Sequence, residues 1–108
     1  MIFVIEDNDM IKVSVVIPVH NGEKYIGKCV NGILNQSLKD IEIVLVENFS
    51  NDNSLNICNE LAKKDSRVSV FQSFDKGTSF ARKKGVLECK GKYITFSDQD
   101  DRYINKYV

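Results

Sequence analysis

The chain has 108 residues, enough for one domain of modest size and no more. Its 15 basic and 15 acidic side chains cancel, which excludes the basic excess of a generic nucleic-acid binder. An apolar share of 43 % is sufficient for a core, and no run of about 18 apolar residues is available to cross a membrane.

Residues 1–11 read as an N-terminal extension, an apolar patch followed by an acidic lead that is too short and too acidic for a signal peptide. The domain proper is expected over residues 12–108. Residues 13–17 are a β-branched run closed by Pro18, the pattern of a strand buried on both faces. After the loop Val19-His20-Asn21-Gly22, the spacing of Ile26, Cys29, Val30, Ile33 and Leu34 predicts an amphipathic helix over residues 23–36. Residues 41–46 read as a second strand, ending in Glu47-Asn48. Residues 49–54 are rich in helix-capping types, and a second helix is predicted to about residue 64 with Leu55, Cys58, Leu61 and Ala62 inward.

Residues 68–71 alternate as a third strand, and residues 75–78 turn the chain. A third helix over residues 79–89 carries Ala81, Gly85 and Cys89 at four-residue spacing, small side chains that let a helix lie close on a sheet. Gly91 is its stop signal, and residues 92–97 read as a short buried fourth strand. Strand and helix alternate throughout. This predicts an α/β fold, a Rossmann-like, mainly parallel sheet of order 3-2-1-4 with right-handed crossovers and helices on both faces. The cysteines (Cys29, Cys58 and Cys89) are odd in number and far apart, so they read as reduced core residues of a cytoplasmic protein.

In an open parallel sheet, ligands bind beyond the carboxyl ends of the strands. His20 and Asn21, Glu47 and Asn48, Asp75 and Lys76, and Asp98, Asp100 and Asp101 each follow one of the predicted strands, so all are expected on one rim. Three acids within four residues repel one another unless a cation lies between them, and carboxylate oxygens suit magnesium, manganese or calcium. Taken alone, such a triplet more often caps a helix or forms a solvated turn. Glu47 ends a buried strand and so needs a partner. The run Arg82-Lys83-Lys84 reads as a solvated helix face, with Arg82 reaching phosphates at the rim as the functional alternative. No Gly-x-Gly-x-x-Gly follows the first strand, no Gly-Lys-Ser/Thr loop is present, and no serine sits in a nucleophile elbow.

Four ordered stretches together resemble the family 2 glycosyltransferases of the GT-A fold. They are Val15-Val16-Ile17-Pro18-Val19-His20-Asn21-Gly22, Ile43-Val44-Leu45-Val46-Glu47-Asn48-Phe49-Ser50-Asn51-Asp52, Lys76-Gly77-Thr78-Ser79-Phe80-Ala81-Arg82-Lys83-Lys84-Gly85, and Gly91-Lys92-Tyr93-Ile94 with Asp98-Gln99-Asp100-Asp101. The resemblance implies inverting transfer of a sugar from a nucleotide diphosphate, of uridine type, during synthesis of cell-surface polysaccharide or glycolipid. It implies that Pro18, Val19, His20 and Asn21 line the base, with Glu47, Asn48, Arg82 and Asp98 also on the nucleotide. Asp98 and Asp100 match the Asp-x-Asp motif and imply a divalent metal, manganese or magnesium.

His20 stands where an aromatic residue is usual, Glu47-Asn48-Phe49 where two aspartates and a glycine are typical, and Arg102 where tryptophan is frequent. The chain ends seven residues after Asp101, and the resemblance implies that the catalytic base and acceptor site lie beyond. The expectation is therefore a donor-binding portion unable to turn over alone, with self-association through an exposed fourth strand and peripheral membrane association in a full-length context. The alternative is a non-catalytic nucleotide- or metal-binding module of the same architecture.

Overall fold

The computed structural model describes residues 11–101. The extension expected before residue 12 lies outside the described residues except for Ile11, as does Arg102. The elements alternate as β1 (Val13–Val19), α1 (Ile26–Leu34), β2 (Ile41–Glu47), α2 (Ser54–Lys64), β3 (Val68–Gln72), α3 (Thr78–Glu88) and β4 (Tyr93–Phe96). The four strands form one sheet of order β3-β2-β1-β4, and every pairing is parallel, as the alternation predicts.

Side-chain alternation along the central strands divides the core into two layers. Val15, Ile17 and Val19 of β1, with Ile41, Ile43 and Leu45 of β2, pack under α1 and α2 against Ile26, Cys29, Val30, Ile33 and Cys58. The opposite face presents Val16, Val44 and Val46 to Ala81 of α3, with Phe71 and Cys89 at the margin. Both central strands are therefore apolar on both faces, the signature of a parallel sheet with helices above and below. Gly85 explains how closely α3 approaches. A Cβ there would overlap Cγ1 of Val16 and stand 3.2 Å from Cγ2 of Val46.

One buried polar device ties the sheet together at its amino end. Glu42, only 5 % exposed, accepts hydrogen bonds from Ser14 Oγ at 2.6 Å and from the backbone N–H of Lys90 at 2.5 Å. Ser14 Oγ in turn accepts from the N–H of Gly91 at 2.8 Å. The segment that leads α3 back into β4 is thus fixed by a carboxylate and a hydroxyl inside the core, both of which would be costly to bury without partners.

The structure departs from the sequence reading in three places. The first helix begins at Ile26, not residue 23, because residues 22–25 form a turn in which the N–H groups of Tyr25 and Ile26 both reach the carbonyl of Gly22 at 2.9 Å. In α2 the inward stripe is Ser54, Ile57, Cys58, Leu61 and Ala62, and Leu55 stands outside the core cluster. The fourth strand is not buried. All its residues are exposed, with Tyr93 at 56 % and Phe96 at 48 %, because among the described residues it pairs with β1 alone and α3 lies over β1, β2 and β3.

Candidate nucleotide-binding site at the carboxyl rim

The order 3-2-1-4 reverses direction between β1 and β4, and a crevice opens where the two chain ends diverge. There the structure has a cavity of about 560 Å³. Its walls come from every strand end: Pro18 and His20 at the end of β1, Asn48, Phe49 and Asn51 after β2, Lys76, Gly77 and Thr78 at the start of α3, and Asp98, Gln99 and Asp100 after β4.

Of the residues singled out from sequence, Pro18, His20, Asn48, Lys76, Asp98 and Asp100 line this cavity, and the others are not part of its lining. Val19 has its side chain in the core and contributes its carbonyl, which accepts from the N–H of Asn48 at 2.8 Å. Asn21 lies on the rim, where its Oδ1 accepts from the N–H of Asn51 at 2.7 Å. Glu47 is buried at 7 % exposure, and its partner is the N–H of Ser50, which donates to Oε1 at 2.9 Å. Arg82 projects from the exposed side of α3, 5.7 Å from the ring centre of Phe96. The structure adds Phe49, Asn51, Gly77, Thr78 and Gln99 to the lining.

The loops are held by side chains that reach across the rim. Asn48 clamps the α3 approach: its Nδ2 donates to the carbonyls of Asp75 at 2.9 Å and Gly77 at 3.3 Å, while its Oδ1 accepts from the N–H of Gly77 at 3.0 Å. Gly77 has φ 120°, a conformation that a side chain would strain, so the clamp depends on glycine there. His20 donates from Nδ1 to the carbonyl of Asn48 at 2.7 Å, and Nε2 accepts from Asn21 Nδ2 at 3.3 Å. Both contacts are met by one neutral tautomer. Phe49 sits in the left-handed region at φ 55°, uncommon for a bulky residue, with Lys76 Nζ 5.6 Å from its ring centre. Strain of this kind concentrates at binding sites.

Asp52 supports the rim from outside. It accepts from Ser54 Oγ at 2.5 Å and from the N–H of Glu23 at 3.2 Å, and the Ser54 hydrogen bond holds its carboxyl below the usual range. Ser54 Oγ accepts in turn from the N–H of Gly22 at 2.8 Å.

The three acids at the end of β4 converge. Carboxylate oxygens of Asp98, Asp100 and Asp101 lie within 4.8 Å of one another, and all three residues are exposed. Asp101 shapes the turn, since its Oδ2 accepts from the N–H of Asp98 at 3.0 Å and from Ser97 Oγ at 3.2 Å. Three oxygen donors so spaced fit a hard divalent cation with vacant positions for other oxygens. Behind them, Cys29 donates through Sγ to the carbonyl of Asp98 at 3.4 Å. Burial pushes this thiol up to about 11, opposed by the Ser97 hydrogen bond and reinforced by the nearby acids. Cys29, Cys58 and Cys89 are all free thiols, as the sequence implies.

A parallel sheet with its crevice at the switch point and acids along one wall has the architecture in which open α/β sheets bind ligands. Sequence comparison makes the class specific: the chain belongs to glycosyl transferase family 2, matching it over residues 14–108. It is 40 % identical over 97 residues to the glycosyltransferase GlyA of Streptococcus pneumoniae serotype 4, a match that spans 90 % of this chain and 14 % of that protein. Among solved structures, residues 1–349 of TarS from S. aureus in complex with UDP superpose with a TM-score of 0.77 at 32 % identity, over 88 % of this chain and 29 % of the other. GalNAc-T7 with UDP, GalNAc and Mn²⁺ gives 0.77 at 27 % identity, over 94 % of this chain and 20 % of the other. The chain therefore spans less than a third of each of these proteins.

Proposed function

We propose that this chain is the donor-binding portion of an inverting, nucleotide-sugar-dependent glycosyltransferase. The observation that carries the reading is the cavity itself, which joins the His20–Phe49 wall to the Asp98–Asp100 wall within about 560 Å³, a volume in the range of small-molecule sites. TarS and GalNAc-T7, both similar to this chain, have been solved with UDP, which favours a uridine diphosphate sugar as donor. In this reading the nucleoside rests on Pro18 and His20, with Asn48 and Phe49 beside it. Glu47 fixes the turn at Ser50 that carries this wall. Lys76 and the N-terminus of α3 face the diphosphate.

Asp98 and Asp100, with Asp101, would hold a divalent cation, manganese or magnesium. A cation held there would supply positive charge against the departing diphosphate. The acids position the diphosphate end while the His20 loop positions the nucleoside, so the donor is oriented from both ends. The base that takes the acceptor's proton, and the acceptor site for a cell-surface polysaccharide or glycolipid, are assigned to sequence outside residues 11–101. A cytoplasmic location, where the three thiols stay reduced, belongs to the same proposal.

Calorimetry of UDP with and without Mn²⁺ tests the reading. Two or three carboxylates leave the cation's shell incomplete, so diphosphate oxygens must finish it and each ligand should strengthen the other. Equal UDP affinity with and without metal, or an unaffected Asp100→Ala variant, would rule the reading out.

A further inference from the structure

The middle residue of the acidic motif does what neither neighbour can. Gln99 folds back over the rim and forms a reciprocal pair with the backbone of one residue, His20. The N–H of His20 donates to Gln99 Oε1 at 2.9 Å, and Gln99 Nε2 donates to the carbonyl of His20 at 2.8 Å. A carboxamide thus completes a strand-like bridge between two loops that the regular β1–β4 pairing does not reach, since that pairing ends at Val16 and Phe96. The fit is close: a Cβ on Gly22 would overlap Gln99 Oε1. Both loops line the cavity, the His20 loop on one side and the acids on the other.

We propose that Gln99 is a positioning residue that fixes the acidic loop to the His20 loop, so that the two ends of a nucleoside diphosphate are bound as one unit. The proposal rests on the donor-binding reading above. With the loops joined, a ligand that satisfies the His20 wall finds the acids already at the right distance. With the link cut, the acidic loop must be ordered anew when the diphosphate and cation arrive, and that cost falls only on ligands that touch both ends. Gln99 need not touch the ligand for this. Its hydrogen bonds are spent on His20, and Asp98 and Asp100 on either side would hold the cation of the proposed site.

The test compares a one-ended probe with a two-ended one on the full chain: uridine alone, and UDP with Mn²⁺. In Gln99→Met, which retains the shape of the side chain without its hydrogen bonds, uridine affinity should stay within about twofold of wild type. UDP–Mn²⁺ affinity should fall by roughly tenfold, inside the usual range for coupling between sites. Gly22→Ala, which expels the carboxamide without altering either acid, should reproduce the same split. Loss of both affinities in equal proportion would mean a merely structural role and would overturn the proposal, as would no loss of either. A wild-type chain that binds neither probe would instead sink the donor-binding reading, which separates the two failures. Amide exchange at His20 gives a readout without ligand: its N–H should lose protection in Gln99→Met, and unchanged protection counts against the clamp.

Discussion

Gly85→Ala tests whether α3 is held as close to the sheet as the packing requires. Alanine gains about 1 kcal/mol over glycine in a helix interior, so propensity alone would stabilise the chain. The packing opposes it. The added methyl would overlap Val16 Cγ1 and crowd Val16 Cγ2 and Val46 Cγ2, each 3.2 Å away, and Val16 and Val46 are fully buried in central strands with nowhere to move. Overpacking of this kind costs roughly 1–3 kcal/mol, and a direct overlap with a β-branched neighbour places it at the upper end. The net expectation is a loss of about 2 kcal/mol, or roughly 10 °C in Tm for a domain of this size. Val16→Ala alone should cost about 2 kcal/mol, from two lost methyls and a small void. The double variant should cost much less than the sum, because removing Val16 Cγ1 makes room for the new methyl. Urea unfolding of the four proteins provides the cycle. A Gly85→Ala chain at least as stable as wild type, or strict additivity in the double variant, would refute this account of how α3 is seated.

Three further outcomes follow from the structure. Burial holds the Cys29 and Cys58 thiols up at about 11 and about 12 against 9.0 when free, so their neutral forms favour the folded state fully below pH 9; that contribution should fade as pH rises through 11–12, and Cys58→Ala should flatten the alkaline limb of a stability–pH curve. Glu42→Ala should destabilise by about 2–4 kcal/mol, since it strips the acceptor from Ser14 and from the N–H of Lys90 inside the core, and a change under about 0.5 kcal/mol in denaturant melts would contradict that network. The outer edge of β4 is open among the described residues and carries exposed Tyr93, Ile94 and Phe96, so the 108-residue chain should self-associate in light scattering, and Ile94→Lys should reduce this; a wild-type chain that stays monomeric at high concentration would argue against it.

The sheet was legible in the sequence because its determinants are local. Val13 to Ile17 and Ile41 to Val46 are largely β-branched, apolar runs, each broken by one polar residue (Ser14 and Glu42), that suit a strand buried on both faces, and small residues at Ala81 and Gly85 announce a helix in close contact. The acids and the His20 loop were legible because a strand end has a fixed place in a parallel sheet. What escaped was non-local. The exposure of β4 depends on what lies beside it, which its own residues do not encode. The clamp from Gln99 to His20 joins positions 79 apart, and that from Asn48 to Gly77 joins positions 29 apart, and no spacing rule links either pair. Phe49 gave a partial signal, standing in a segment rich in capping residues, but its left-handed backbone became visible only in three dimensions.

The central claim is that a nucleoside diphosphate and a divalent cation share the cavity between His20 and Asp100. Amide resonances of the ¹⁵N-labelled chain, followed as UDP is added with Mg²⁺ and then with Mn²⁺, test it most directly. With Mg²⁺, the largest shifts are predicted at His20, Asn48, Phe49, Gly77 and Gln99, which line the cavity. With Mn²⁺, paramagnetic broadening should centre on Asp98, Asp100 and Asp101 and fade toward the amino ends of the strands. Broadening centred elsewhere, or UDP shifts confined to residues outside the cavity, would contradict the account.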